Sequence, residues 1–276
     1  MDYRLRALLE PTDATGRELR KIILKAASNA GRGHIGPALS ILEIIRCLYD
    51  SVLIHDPKNP HLENRDVFIL SKGHGALGLY AVLANNGYFD LSELETFCKF
   101  NSRLGGHPEW HNLPGVEFST GSLGHGLAVA VGIAVAITNK KQSGRRVYSL
   151  VGDGELAEGS IWESLLHGAK HNLDNLCMIV DFNNMQANGS LDKVLKITDI
   201  PKKLTSFGFK VLEINGHSIN EIKSVLDFKP TGGKPLAVIA HTIKGKGIRI
   251  SENSPEWHHK AKITEDEVEL LLGSMY

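Results

Sequence analysis

Hydrophobic and polar positions change period repeatedly along this chain. After Asp13 the apolar residues Leu19, Ile22, Ile23, Ala26 and Ala27 recur at helical spacing, with Asp13 as the cap and Gly31 as the stop. A second, more apolar helix is predicted at about 38–49. Five short runs rich in β-branched or aromatic residues follow, at 67–70, 147–151, 176–181, 209–214 and 236–240. Helical patterns at about 75–85, 123–138, 161–170 and 219–226 separate most of them, and a last helix is predicted at about 265–272. Strands that are apolar on both faces and alternate with helices predict an α/β fold, with a mainly parallel sheet and helices on both faces. Two long connections remain, at about 98–120 and 244–260. Loops of that length in a compact domain are usually functional or mobile. There is no repeat, low-complexity tract or Pro/Ser-rich linker, so a single domain over 1–276 is expected.

Composition narrows the class. Of 276 residues, 42% are hydrophobic and 22% charged, which is ordinary for a soluble globular protein. Lys+Arg and Asp+Glu are 31 each, so the zero net charge argues against a nucleic-acid partner. Cys47, Cys98 and Cys177 are far apart, which argues against a disulfide scaffold or a thiolate zinc site and fits a reducing compartment. The longest apolar run, about 126–138, is shorter than the ~20 residues a bilayer needs. Met1-Asp2-Tyr3-Arg4 shows no basic-then-apolar leader pattern. A cytoplasmic protein with no membrane association is expected.

The chemistry collects at predicted strand ends. The run 147–151 leads into Gly152-Asp153-Gly154, and the next strand ends in Asp181-Phe182-Asn183-Asn184. In a parallel sheet every strand delivers its following loop to the same edge, so Asp153 and Asn183 are expected to meet there. A carboxylate and a neutral amide oxygen suit Mg2+ or Ca2+, which fill their remaining positions with phosphate and water. A bare Gly-Asp-Gly also reads as a turn; the following strand and Asn-Asn distinguish this one. Thr120-Gly121-Ser122-Leu123-Gly124-His125-Gly126 has two readings, a second phosphate cradle, because a helix N-terminus attracts anions, or a glycine-rich helix start that packs closely.

The histidines form a third signal. His34, His74 and His107 sit in glycine-flanked loops, and His258 lies in Trp257-His258-His259. Their spacing matches no zinc motif. Such residues donate hydrogen bonds or move protons near neutral pH. Lys72 has two readings, paired with a cofactor or acidic partner, or facing water.

Ser71-Lys72-Gly73-His74-Gly75, Gly106-His107-Pro108-Glu109, Thr120-Gly121-Ser122-Leu123-Gly124 and Gly152-Asp153-Gly154 with Asn183 occur in the order and spacing of transketolases. Over essentially its whole length the chain resembles the N-terminal, diphosphate-binding half of that family. It looks most like the shorter form in which transketolase is split between two polypeptides, a form that Trp257-His258-His259-Lys260-Ala261 also fits. The resemblance implies thiamine diphosphate and Mg2+ (or Ca2+) as cofactors. It implies Asp153, the Asn183 side chain and the Met185 carbonyl as metal ligands. Gly121, Ser122, Leu123 and Gly154 would contact the diphosphate, with His74, Lys244 and His258 beside the cofactor. His34, His107 and His258 would face the ketose hydroxyls and carbonyl, and Glu158 would communicate with a neighbouring cofactor site. Two departures stand out: His34 is followed by Ile35-Gly36-Pro37 where many members have Pro directly, and Gly124 is followed by His125 where Gln is frequent.

The family's reaction moves a two-carbon ketol unit from a ketose phosphate to an aldose phosphate, with the pentose phosphate pathway as the default setting. One sheet's worth of elements accounts for the diphosphate domain alone. The resemblance therefore implies a separate C-terminal subunit that carries the pyrimidine-binding half and the activating glutamate, in an α2β2 heterotetramer. Rival readings are the α subunit of a 2-oxoacid dehydrogenase, a fragment of deoxyxylulose phosphate synthase, a non-catalytic thiamine diphosphate-binding subunit, and a metal-dependent phosphate hydrolase.

Overall fold

Alternation within each strand sorts side chains onto two faces, and both faces are covered. The computed structural model describes residues 2–141, 144–187, 189–229 and 233–276. Its strands are β1 (Val67–Leu70), β2 (Val147–Gly152), β3 (Leu176–Phe182), the short pair β4 (Met185–Gln186) and β5 (Gly189–Ser190), β6 (Lys210–Asn215) and β7 (Leu236–His241). The helices are α1 (Tyr3–Leu9), α2 (Ala14–Ala30), α3 (Ile35–Ser40), α4 (Leu42–Cys47), α5 (Ala76–Asn85), α6 (His125–Asn139), α7 (Gly159–Lys170), α8 (Leu191–Val194), α9 (Ile200–Ser206), α10 (Ile219–Leu226) and α11 (Glu265–Gly273). The main sheet has the order β1-β2-β3-β7-β6, and every pairing in it is parallel. β4 and β5 form a separate antiparallel hairpin directly after β3.

Phe68, Leu70, Tyr148, Leu150, Cys177, Ile179 and Val238 pack into one core with residues of α2 to α5, α10 and α11. Val67, Ile69, Val147, Met178, Val180 and Ile239 pack into a second core with α6, α7 and α9. Burial on both faces explains why these strands read as continuous apolar runs. Among the described residues no helix is long and apolar enough to cross a membrane.

The expected helices are present with shifted ends. Asp13 caps α2 by accepting from the Gly16 amide, and Gly31 closes it in the left-handed region. The helix expected at 38–49 begins earlier and is broken: α3 ends at Ser40, Ile41 leaves helical geometry (φ −109°, ψ 3°), and α4 resumes and runs into a π-helical turn over Leu48–Val52. The break coincides with the Ser40 hydroxyl turning to the sheet edge, where it donates to Asp181 Oδ1 (2.7 Å). α6 starts at His125 rather than Leu123, after Gly124 in the left-handed region. α11 opens on a capping box between Thr264 and Glu267. The segment 98–120 contains no helix or strand. The segment 244–260 is a packed strap in which Lys244, Lys246, Ile248, Ser251 and Trp257 are buried. α1, α8, α9 and the β4–β5 hairpin carry no pattern that the periodicity registers.

Candidate active site

The carboxyl ends of β1, β2, β3 and β7 deliver Lys72–His74, Asp153–Gly154, Asn183 and Lys244 to one edge. Strand register fixes the central pair. Gly152 sits opposite Asp181, and the Asp153 amide donates to the Asp181 carbonyl (3.2 Å). Asp153 Oδ1 accepts from the Gly154 amide (2.7 Å) and Oδ2 from the Asn184 amide (2.6 Å). The Asn183 side chain bridges the same turn: Oδ1 accepts from the Met185 amide (3.0 Å), and Nδ2 donates to Asp181 Oδ2 (2.9 Å) and Ser40 Oγ (3.2 Å). Asp153 and Asn183 therefore share one edge, as the parallel sheet predicts.

Beneath them lies a polar floor. Asp181, fully buried, accepts from Lys72 Nζ, Ser40 Oγ, Thr242 Oγ1 and Asn183 Nδ2. Burial pushes its carboxyl up, but the Lys72 charge and the hydrogen bonds outweigh this and hold it below the ordinary range. Among the described residues Asp153 makes no direct ion pair, and the Lys72 charge reaches it only from a distance. Burial, reinforced by the Asp181 carboxylate, pushes it up to about 7. A buried carboxylate in that position calls for a positive ion. Lys244 Nζ meanwhile rests on the Met185 and Gln186 carbonyls (3.3 Å each), with its pKa lowered to about 8 by burial and then by Lys72.

Lys72, Asp153, Asn183, Met185, Gln186 and Lys244 line a cavity of about 290 Å³, together with His34, His74, Gly121, Leu123, Gly154 and His258. Two polar atoms facing it, Gln186 Nε2 and His258 Nδ1, are buried without a partner. A Cβ on Gly73 would fall 2.8 Å from the Gly121 amide nitrogen, so the two loops approach at backbone distance. A carboxylate, an amide oxygen and a backbone carbonyl form a hard-oxygen set suited to Mg2+ or Ca2+ with a diphosphate completing the shell. Among the described residues no three or more His, Cys, Asp or Glu side chains gather to hold a metal by themselves.

The histidines converge around His34, which lines the cavity with His74 and His258, while His107 and His259 stand outside the lining. His34 is the hub, with ring centroids 5.7 Å from His74, 5.8 Å from His107, 5.8 Å from His258 and 4.5 Å from His259. His74 and His258 lie 5.4 Å apart. Burial lowers His34 to about 4, helped by the His259 and His107 charges, and lowers His258 to about 3, helped by Lys244. Burial also takes His74 well below 6.5 and lowers His107. At neutral pH these imidazoles are uncharged, so each offers one N–H donor and one lone pair.

Ser122 is exposed and stands outside the cavity lining. Glu158 is also exposed and outside it; it precedes α7, where a Cβ on Gly124 would lie 2.7 Å from its own Cβ. The cradle expected at the start of α6 is altered. The Gly124 amide already donates to Glu155 Oε1 (2.8 Å), and Glu155 also accepts from Ser71 Oγ (2.5 Å) and the Gly152 amide (3.0 Å). Glu155 thus ties three loops together. Sequence reasoning missed Glu155, Asp181, Ser40 and His259. The available signals lay in the quoted motifs, where His259 adjoins His258 and Asp181 precedes Asn183 by two positions.

Solved transketolases share this architecture. That from Campylobacter jejuni superposes with a TM-score of 0.84 at 32% identity, covering 95% of this chain and 43% of its own. That from Leishmania mexicana gives 0.87 at 27% identity, covering 100% and 42%. The chain belongs to the transketolase family: residues 13–274 match the family model described as the transketolase thiamine diphosphate binding domain. It is similar over most of both lengths to one of the subunits of the apulose-4-phosphate transketolase of Actinobacillus succinogenes, at 47% identity covering 93% of this chain and 92% of that one. It is also similar to a 6-deoxy-6-sulfo-D-fructose transketolase subunit of a Clostridium species, at 37% identity covering 90% of each. Against human transketolase the identity is 35%, covering 97% of this chain but 42% of the human one. Its length thus corresponds to the subunit form, and to under half of the single-chain enzymes.

Proposed function

We propose that this chain is the diphosphate-binding subunit of a two-subunit transketolase, working with a partner that carries the pyrimidine-binding half in an α2β2 assembly. The observation that supports this best is the meeting of buried Asp153 with Asn183 at one sheet edge, below a ring of neutral histidines. Asp153, Asn183 Oδ1 and the Met185 carbonyl would hold Mg2+ (or Ca2+). Gly121, Ser122, Leu123, Gly154, His74 and Lys244 would hold the diphosphate and ring. Thiamine diphosphate, when bound, supplies the nucleophilic carbon and the electron sink that ketose cleavage requires.

The chain's own residues would orient the sugar and move its protons. A neutral imidazole takes a proton from a hydroxyl with its free nitrogen and donates to a developing oxyanion with its N–H. His34, His107 and His258 suit that work. Burial removes their charge and makes charge formation there costly, unless the negative charge left on the deprotonated substrate oxygen lies beside the imidazolium. Glu158, exposed beside α7, would reach a neighbouring site across the assembly. The relatives named for apulose 4-phosphate and 6-deoxy-6-sulfo-D-fructose support a ketose with an anionic terminus, phosphate or sulfonate, as the donor class, of which xylulose 5-phosphate is one member.

The test is ketol transfer by the chain combined with its partner subunit, supplied with thiamine diphosphate and Mg2+. Apulose 4-phosphate and xylulose 5-phosphate serve as donors and pyruvate as the control. Transfer from a ketose, lost when the partner is omitted, is expected. Pyruvate decarboxylation without ketol transfer would replace this reading with that of the α subunit of a 2-oxoacid dehydrogenase.

A further inference from the structure

α1 lies ahead of residue 13, where the family match begins, yet it reaches the metal-ligand turn. Arg4 Nη1 donates to the Asn183 carbonyl (3.0 Å), and Arg4 Nη2 donates to Asn253 Oδ1 (3.0 Å). The Asn253 amide in turn donates to the Lys244 carbonyl (2.8 Å), and Lys244 Nζ donates to the Met185 carbonyl (3.3 Å). These contacts close a ring through Arg4, Asn183, Met185, Lys244 and Asn253.

The turn inside that ring needs holding. Asn184 sits in the left-handed region (φ +62°), a geometry that Asn tolerates at some cost. Asp153 pulls on its amide from the sheet side, and Arg4 pulls on the preceding carbonyl from the opposite side. The two together fix the plane of the 183–184 peptide, and with it the direction of Asn183 Oδ1 and the Met185 carbonyl. A guanidinium can bridge two acceptors in this way because its donors are planar and fixed.

We propose that Arg4 is a positioning residue for the divalent-cation site, so that α1 is part of the cofactor-binding apparatus. This rests on the metal-site reading above. The rest of α1 has its own anchors: Tyr3 stacks on His241 (5.0 Å between centroids), Arg6 pairs with Glu221, and Lys246 Nζ donates to the Leu8 carbonyl (2.7 Å). Removal of Arg4 alone therefore leaves the helix docked.

The experiment measures Mn2+ affinity by electron paramagnetic resonance on the full chain combined with its partner, at saturating thiamine diphosphate. Arg4→Ala is expected to weaken Mn2+ by roughly tenfold, the loss of one charge-assisted hydrogen bond. Arg4→Lys should recover part of this, because an ammonium reaches one acceptor and not both. Arg6→Ala, which loosens the same helix without touching the Asn183 carbonyl, should leave affinity unchanged. Affinity within about twofold of native for Arg4→Ala, or equal losses for Arg4→Ala and Arg6→Ala, would overturn the inference while leaving the metal site intact. Absence of Mn2+ binding by the native assembly would instead overturn the metal-site reading, and this inference with it.

Discussion

Lys72 and Asp181 form an ion pair under the turn at Asn183–Met185, with both side chains buried. One carboxylate of the site is thereby neutralised by the protein, whereas Asp153 makes no direct ion pair among the described residues; under the proposed function a divalent cation would meet it there. That division of labour separates the structural charge from the binding charge.

Replacing the lysine exposes the difference. Lys72→Met leaves Asp181 buried without a cation, a change that costs about 3–5 kcal/mol when one partner of a buried pair is removed. Urea unfolding of the metal-free chain should show a loss of that size. A loss below about 1 kcal/mol, the scale of an exposed pair, would contradict the assignment.

Close loop packing makes Gly73 sensitive. A Cβ there would meet the Gly121 nitrogen and the Thr120 carbonyl carbon at 2.8 Å, backbone atoms that cannot swing aside. Gly73→Ala is expected to destabilise the chain by about 1–3 kcal/mol through overpacking and to weaken thiamine diphosphate binding. Thermal melts and cofactor titration check both effects. An unchanged melting temperature would show that the loops part more easily than their packing implies.

Acid stability should depend on Glu43, a buried residue of α4. Burial pushes Glu43 up, yet Arg20 and the His217 hydrogen bond outweigh it and hold the carboxyl below its ordinary 4.5. The folded pKa is depressed, so the stabilisation is fully present above 4.5 and lost as pH falls through that value toward the lower folded pKa. Glu43→Gln should be less stable at neutral pH and lose less on acidification. Parallel pH–stability curves for the two proteins would contradict this.

The ring of histidines divides by depth. His74 is the more deeply buried and lines the cavity, whereas His107 is exposed and outside the lining, with its ring 5.8 Å from that of His34. His74→Ala should weaken cofactor binding, and His107→Ala should mainly lower turnover, measured by steady-state kinetics with the partner present. Equal and unaltered kinetics for both would remove them from the site.

The five strands of the main sheet, their parallel pairing and the meeting of Asp153 with Asn183 at one edge were legible in the sequence, because buried strands and strand-end loops leave local signatures. The floor was not. Lys72 and Asp181 are separated by 109 positions and Ser40 and Asp181 by 141, and no local pattern pairs residues so far apart. Glu155 reads as one more acidic residue after Gly154 until the fold brings Gly124 and Ser71 to it. The break at Ile41 escaped for the same reason, since the Ser40 hydroxyl that accompanies it is directed across the sheet. α1 carries too short a pattern to announce itself, and the reach of Arg4 to Asn183 is visible only once the chain is folded.

The most direct test is a crystal of the chain with thiamine diphosphate and Mn2+, with the cation located by its anomalous scattering. The account predicts a single peak at the carboxyl edge, within about 2.0–2.3 Å of an Asp153 oxygen and Asn183 Oδ1, bridging to the diphosphate. Well-ordered cofactor with the cation held by other residues, or with Asp153 turned away from it, would contradict the account.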